Sequence, residues 1–208
     1  MITRRFFSLA LLGATTLLSA PLTAQGDPAV RVSVETGLGV IVLEIDAARA
    51  PKTVANFLRY VDGGHYDGGT FHRTVTMDNQ PQSAVKIEVI QAGVSADTAK
   101  AGFEPIALEP TSVTGLRHTD GVVSMGRLPG GNATSIWFIC INDQPSLDFG
   151  GARNTDGQGF AAFGRVVSGM DVVRRIQQAP SSSNRTTNAE AQKLTPPISI
   201  LKVARVAP

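Results

Sequence analysis

The feature that most constrains the fold is the strict alternation of apolar and polar residues at positions 30–36 (VRVSVET). Such alternation places the apolar side chains on one face of a strand and the polar ones on the other. A second β-rich segment, VIVLEI at 40–45, follows after the turn Gly37-Leu38-Gly39. A connection this short joins antiparallel neighbours, so the two segments predict a hairpin with one buried face.

Six further short segments are rich in β-branched and aromatic residues and are separated by Gly-, Pro- and Asn-containing stretches. They lie at residues 70–75, 85–91, 121–125, 135–141, 160–167 and 198–206. Eight short strands at irregular spacing favour an antiparallel sheet that closes on itself. The sequence therefore predicts a mainly β protein, built on a closed eight-stranded antiparallel β-barrel.

Two segments have helical periodicity. The first begins at Pro51, a residue favoured at the first helical position, and carries the apolar stripe Val54, Phe57, Leu58 and Val61. The second covers residues 170–178. Each helix has one apolar stripe to bury, and an open end of the barrel supplies a surface for it. We therefore expect two α-helices that cap the barrel.

The N-terminal 26 residues have the composition of a secretory signal peptide. Arg4 and Arg5 precede an apolar run at 6–18, and small residues follow at 19–26. The apolar run is too short to span a membrane. We expect cleavage after Gly26, with cleavage after Ala24 as an alternative, and a weak twin-arginine signal is a second reading of the same segment. The prediction is a signal peptide at 1–26 and one domain at 27–208, exported to the periplasm or secreted, with no stable membrane insertion.

Charge and cysteine content exclude several classes of protein. The full chain has a formal net charge of +2, and the two arginines of the predicted signal account for it, so the mature domain has no basic excess for nucleic acid. Cys140 is the only cysteine and lies in an apolar run, which favours a buried structural thiol and excludes an intramolecular disulfide. We expect a monomer that does not bind nucleic acid.

Motifs for hydrolysis, phosphate binding or metal binding are absent from the sequence. His65, His72 and Asp67 lie close together in the chain, but they lack the tight spacing of a metal site and are better explained as turn and strand residues. We therefore predict neither a metal nor a cofactor.

Several short blocks in one order resemble the cyclophilin-type peptidyl-prolyl isomerases over about residues 30–205. The blocks are Thr53-Val54-Ala55-Asn56-Phe57, Phe71-His72-Arg73 after a Tyr-Asp-Gly turn, Ser124-Met125-Gly126, Phe138-Ile139-Cys140, Phe163-Gly164-Arg165-Val166 and Gly169-Met170-Asp171-Val172-Val173. The resemblance implies an eight-stranded barrel with a helix at each end. It also implies an exposed active-site groove on the barrel wall.

The resemblance also implies the residues of that groove. Arg73 is expected to be the catalytic hydrogen-bond donor, and Gln91 is expected to orient Arg73 and the substrate backbone. The substrate-binding residues implied in the same way are Phe71, Val89, Gly126, Arg127, Phe138, Leu147 and Phe160. On an alternating strand Phe71 and Arg73 share one face, so both are expected to point into the groove while His72 points away.

The expected function is that of a peptidyl-prolyl cis-trans isomerase acting on proline-containing segments of exported, folding proteins. One departure from the family pattern leaves an alternative open. Glu88 stands where an apolar residue is usual, and a carboxylate in the proline pocket would impair turnover. The alternative is a proline-peptide binding module or chaperone with little turnover.

Overall fold

The computed structural model describes residues 30–95, 102–128 and 131–206. The predicted signal peptide at 1–26 lies outside these ranges. Within them, none of the helices has the length and apolar character needed to cross a membrane.

Eight antiparallel strands form the predicted closed barrel. They are β1 Val30–Thr36, β2 Gly39–Ile45, β3 Thr70–Val75, β4 Val89–Gly93, β5 Val122–Arg127, β6 Ala133–Cys140, β7 Ala161–Ser168 and β8 Lys193–Arg205. The strand order around the barrel is β1-β2-β7-β5-β6-β4-β3-β8, and β8 closes the barrel by pairing with β1. The order places β3 and β4 beside each other, with β8 and β6 on their outer edges.

The helices are α1 Pro51–Asp62, α2 Thr111–Thr114, α3 Met170–Gln177 and α4 Asn188–Ala191, and a 3-10 turn spans Pro145–Leu147. The two predicted helices are α1 and α3. Both direct their buried residues at the barrel core, Phe57 and Val61 from α1 and Val173 and Ile176 from α3. The sequence did not predict α2 and α4, because four residues are too few to show a helical period.

Two strands begin four or five residues away from the predicted positions, whereas the other strands begin within two residues of them. β4 begins at Val89, four residues late, because the amide of Ile87 donates to the side chain of Gln80 instead of a neighbouring strand. β8 begins at Lys193, five residues early. Pro196 and Pro197 lie inside this strand, and prolines are usually a sign that a strand has not yet begun.

The barrel interior is filled by the apolar faces of the strands together with a cluster of aromatic rings. Val32 and Val34 of β1 have no exposed surface, as their alternation predicts. Phe57 of α1 packs edge-on to Trp137 of β6, with ring centroids 5.9 Å apart. Phe71 of β3 also packs against Trp137, at 5.5 Å. These contacts make the core continuous from the barrel wall to α1.

A buried polar network ties the loop after β6 to the barrel. Nδ1 of His118 lies 2.8 Å from Asp148 Oδ1, and Nε2 lies 2.9 Å from Ser124 Oγ. The arrangement has the connectivity of a Ser-His-Asp triad, but Ser124 has no exposed surface and His118 only 1%. No substrate can reach this serine, so the network is structural. The His118 ring stacks on Phe138, with the two planes 14° apart.

We predict that this network makes stability depend on pH near neutrality. Burial is the main cause that lowers the pKa of His118 below the ordinary value of 6.5, although Asp148 acts in the opposite direction. The unfolded chain therefore takes up the proton more readily, and stability that is complete above pH 6.5 is lost as the pH falls. His72 has a pKa lowered by burial too and contributes with the same sign.

Urea unfolding between about pH 7.5 and about pH 5.5 should show a falling free energy of unfolding. The His72→Gln variant should remove part of this dependence and leave the part due to His118. In NMR titrations of the folded protein, the His118 ring should titrate below pH 6.5. A His118 ring that titrates above this value would contradict the prediction.

Candidate active site

A β-bulge in β3 sets the geometry of the site. Phe71 lies opposite Ala92 of β4 and Arg73 lies opposite Gln91, so His72 has no opposing residue. The pairing of β3 with β8 shifts at the same point. An extra residue in one strand reverses the alternation of the residues that follow it. Phe71 therefore faces the barrel interior, whereas Arg73 faces outward.

The expectation that Phe71 and Arg73 share one face is therefore wrong. Phe71 has no exposed surface and belongs to the barrel core with Trp137 and Phe57. It lies beneath the site as packing and presents no surface to a substrate. His72 was expected on the opposite side from Arg73, but both line the same surface cavity.

The guanidinium of Arg73 is held by two glutamine side chains. Its Nη1 donates to Gln91 Oε1 at 2.7 Å, while Nε and Nη2 both donate to Gln192 Oε1, at 2.9 Å and 2.5 Å. A guanidinium has five N–H groups in one rigid plane. Three are engaged, and one on Nη1 and one on Nη2 remain. Arg73 is thus fixed in orientation with two donors left to offer.

Gln192 is a site residue that the sequence did not reveal. Its side chain is completely buried, and its Nε2 donates to the carbonyl of Asn79 at 3.2 Å. Its own carbonyl accepts the amide of Thr74 at 2.9 Å. Gln192 lies 119 residues from Arg73, between the predicted second helix at 170–178 and the predicted last strand at 198–206, and no local pattern marks it.

Arg73 remains a cation although it is partly removed from water. Burial and, to a lesser extent, the positive charge of Arg153 lower its pKa to about 10. The group is therefore still protonated at neutral pH. Arg153 itself donates to the carbonyl of Val85 and to Gln80 Oε1. Neither guanidinium has a carboxylate partner among the described residues.

A second apolar cluster lies on the outer face of the barrel beside Arg73. This outer apolar cluster consists of Val75, Ile87, Val89, Phe138, Cys140 and Leu147, with Phe160 packed against it. Gln91 pairs with Phe138 of β6, so Arg73, Gln91 and Phe138 form a row across three strands. Of the residues expected to bind substrate, the structure brings Val89, Phe138, Leu147 and Phe160 together here.

The cluster exposes little of its surface. Leu147 is completely buried, Val89 is 3% exposed and Phe138 is 5% exposed. Arg127 at the end of β5 covers the edge of the cluster: its guanidinium lies 5.5 Å from the centre of the Phe160 ring and donates to Asp156 at 2.6 Å. Gly126 precedes it and is half-buried. The two β5 residues therefore lie at the rim of the site.

Glu88 does not enter the outer apolar cluster. Its carboxylate accepts from Asn142 Nδ2 at 2.9 Å and from Gln177 Nε2 at 3.1 Å. Ile87, its neighbour in the chain, fills the cluster instead. The reason for expecting a weakened proline pocket is therefore removed.

The residues near Arg73 support neither catalysis by a nucleophilic thiol nor metal binding. Cys140 is buried within the outer apolar cluster, and this burial raises its thiol pKa far above the ordinary range. A buried thiol of this kind is inert as a nucleophile. In the three described ranges, no group of three or more His, Cys, Asp or Glu side chains is placed to hold a metal ion.

Solved structures share the fold. A crystal structure of a Cryptosporidium parvum cyclophilin type peptidyl-prolyl cis-trans isomerase, determined in the presence of the dipeptide Ala-Pro, superimposes with a TM-score of 0.65 at 20% identity. The match covers 86% of this chain and 99% of that chain.

Sequence comparisons identify the family. The family model "Cyclophilin type peptidyl-prolyl cis-trans isomerase/CLD" matches residues 31–205. A peptidyl-prolyl cis-trans isomerase of Streptomyces antibioticus is 37% identical over 74% of this chain and 87% of its own length. Peptidyl-prolyl cis-trans isomerase B of Escherichia coli is 35% identical over 70% of this chain and 83% of its own length. The chain therefore belongs to the cyclophilin-type peptidyl-prolyl cis-trans isomerases.

Proposed function

We propose that Arg73 is the catalytic residue of this isomerase and that the outer apolar cluster receives the proline ring of the substrate. The observation that carries the proposal is the state of the Arg73 guanidinium. It is charged, fixed by Gln91 and Gln192, and has two N–H groups left beside an apolar surface. Arg127 also borders the outer apolar cluster, but it is paired with the carboxylate of Asp156, whereas Arg73 is held by neutral oxygens.

The reaction requires only such a donor. Rotation about an X-Pro bond has a barrier of about 18–20 kcal/mol because amide resonance is lost in the twisted state. In that state the prolyl nitrogen regains its lone pair and becomes a better hydrogen-bond acceptor. A fixed N–H group of Arg73 aimed at this nitrogen binds the twisted state more tightly than either planar form.

Phe160 and Arg127 cover the apolar surface that is proposed to receive the ring. Phe138 and Val89 are 5% and 3% exposed, so a proline ring contacts them fully once Phe160 and Arg127 move aside. The Arg127–Asp156 ion pair has a half-exposed carboxylate, but the Arg127 side chain is only 8% exposed and packs on Phe160. Substrate binding in this proposal therefore requires the rim to open against that packing, and the backbone at Gly126 and Arg127 then contacts the substrate chain.

The closed rim also supports a second candidate, a proline-peptide binding module with little turnover. If rim opening is slow, peptide binds and leaves without exchange of its cis and trans forms. NMR exchange spectroscopy separates the two functions, because an isomerase broadens or exchanges the cis and trans signals and a binding module does not.

The proposed substrates are proline-containing segments of exported, folding proteins, and the enzyme acts as a monomer outside the cytoplasm. Support comes from residues 1–26, whose charged, apolar and small-residue regions follow the order of a secretory signal. Uncatalysed isomerisation takes tens to hundreds of seconds, which is slow enough to limit folding. N-terminal sequencing of the mature protein should begin at Asp27, and an intact Met1 in that protein would argue against export.

We predict that Arg73→Ala lowers kcat/KM about 100- to 1,000-fold, the usual effect of removing one preorganised donor to a transition state. Arg73→Lys should recover little, because an ammonium retains the charge but loses the rigid plane that Gln91 and Gln192 hold. Isomerisation of a proline peptide measures both effects. Arg205→Ala, which removes an exposed arginine paired with Asp62, is the control. Equal activity of Arg73→Ala and the unaltered protein would exclude Arg73 as the donor.

We predict a positioning role for Gln192. Gln192→Ala leaves Nε and one N–H of Nη2 of Arg73 without their acceptor, so kcat should fall about tenfold while KM changes little. Gln192→Glu restores an acceptor but partly neutralises the guanidinium. Its kcat should therefore lie between those of the unaltered protein and Gln192→Ala. Gln178→Ala, at an exposed position after α3, is the matched control. An unchanged kcat in Gln192→Ala would show that Gln91 alone positions Arg73.

A further inference from the structure

A cavity of about 620 Å³ opens beside Arg73, and its lining contains no residue of the outer apolar cluster. It lies over β3 and β8, where Arg73 pairs with Lys193. We call it the cationic cavity, and its lining residues are His72, Arg73, Arg153, Asn188, Ala189, Lys193 and Pro197. Its volume is within the range of small-ligand pockets and is ample for one or two side chains of a peptide.

The lining has three permanent positive charges and no acidic residue. Arg73 donates only to the neutral oxygens of Gln91 and Gln192, and Arg153 donates only to Gln80 and the Val85 carbonyl. None of the ion pairs between described residues includes Arg73, Arg153 or Lys193. The cavity is thus a concentrated positive field without a counter-charge.

Most arginines elsewhere in the described ranges do have a carboxylate partner. Eight of them pair with carboxylates, at positions 31, 49, 117, 127, 165, 174, 175 and 205. A larger cavity of about 1080 Å³ contains both Glu44 and Arg165, which pair with each other at 2.7 Å. Each arginine of its lining has a carboxylate partner, whereas the arginines of the cationic cavity have none among the described residues.

Burial makes the imbalance unfavourable in the free protein. The charge of Arg153 contributes to lowering the pKa of Arg73, which means that the two cations repel each other across the cavity. A bound anion relieves this repulsion and accepts hydrogen bonds from guanidinium groups, a planar donor arrangement that matches a carboxylate.

We propose that the cationic cavity binds a carboxylate of the prolyl peptide, so that the enzyme prefers substrates with an acidic residue near the isomerising proline. The inference rests on the proposed function, because Arg73 is the residue shared by the two parts of the site. A peptide that places its proline on the outer apolar cluster passes Arg73 and reaches the cationic cavity with a neighbouring residue. The carboxylate comes from an Asp or Glu side chain, or from the end of the peptide chain.

The test compares peptides that differ at one position. Capped peptides with a single Ala-Pro bond carry Glu, Gln or Lys at each of the three positions before and after this dipeptide. Binding by NMR titration and isomerisation by exchange spectroscopy are measured for each. At the position that reaches the cavity, the Glu peptide should bind about five- to tenfold more tightly than the Gln peptide, and the Lys peptide most weakly. The Glu advantage should shrink at high salt.

The origin of the carboxylate is settled by a further pair of peptides. A Gln peptide with a free C-terminus is compared with the same peptide amidated at its end. A gain for the free C-terminus alone supports the cavity as a carboxylate site and assigns it to chain ends. A gain for internal Glu assigns it to acidic side chains.

Charge reversal connects the preference to the cavity. Lys193→Glu changes an exposed residue of the lining, and it should abolish or invert the preference for Glu over Lys peptides. Lys202→Glu, on the same strand but outside the lining, should retain the preference of the unaltered protein. If no peptide is isomerised, the proposed function fails. If Glu, Gln and Lys peptides, with capped or free ends, bind and isomerise equally well, the carboxylate site alone is refuted.

Discussion

The bulge at His72 is the constraint on which both the aromatic core and the site on the outer wall of the barrel depend. Without an extra residue, Phe71 and Arg73 would share a face, and either a large aromatic ring would leave the core or a guanidinium would enter it. Burying a cation in the apolar interior is far more unfavourable than leaving a strand locally irregular. The bulge lets Phe71 complete the aromatic packing around Trp137 while Arg73 stands on the outer wall opposite Gln91.

Local patterns predicted what local physics determines. Alternation located β1 and β2, and the apolar stripes located α1 and α3, because each depends on neighbours a few residues away. The bulge escaped prediction because nothing in Phe71-His72-Arg73 marks the point where the period of two is broken. The start of β4 escaped for a related reason: residues 85–88 have strand-like composition, but the backbone of Ile87 bonds to the side chain of Gln80.

The sequence predicted those site residues that match the family pattern and missed those that do not. Val89, Phe138, Leu147 and Phe160 do gather next to Arg73 and Gln91, although their roles toward a substrate remain proposals. Gln192 and Arg153 escaped because each comes from a loop that meets the site only through tertiary packing. Glu88 shows the converse error. Counting along the chain aligned it with the pocket, but Ile87 and Val89 on either side of it both face the cluster, so the Glu88 side chain points away.

The partners of Arg73 explain how a buried cation remains useful. A carboxylate partner would stabilise the charge more strongly, but it would also offset the positive potential that the prolyl nitrogen is meant to experience. Two glutamine oxygens fix the plane of the guanidinium while leaving its full charge and two N–H groups available. The disadvantage is that the glutamine oxygens replace the lost hydration of the guanidinium only in part. The lowered pKa of Arg73 reflects this loss. A substrate carboxylate held by Arg153 and Lys193 in the cationic cavity would compensate the positive charge. It would do so without occupying the two Arg73 N–H groups that face the proline. In the proposed mechanism, the same neutral acceptors that leave Arg73 its full charge would also account for the proposed preference for acidic substrates.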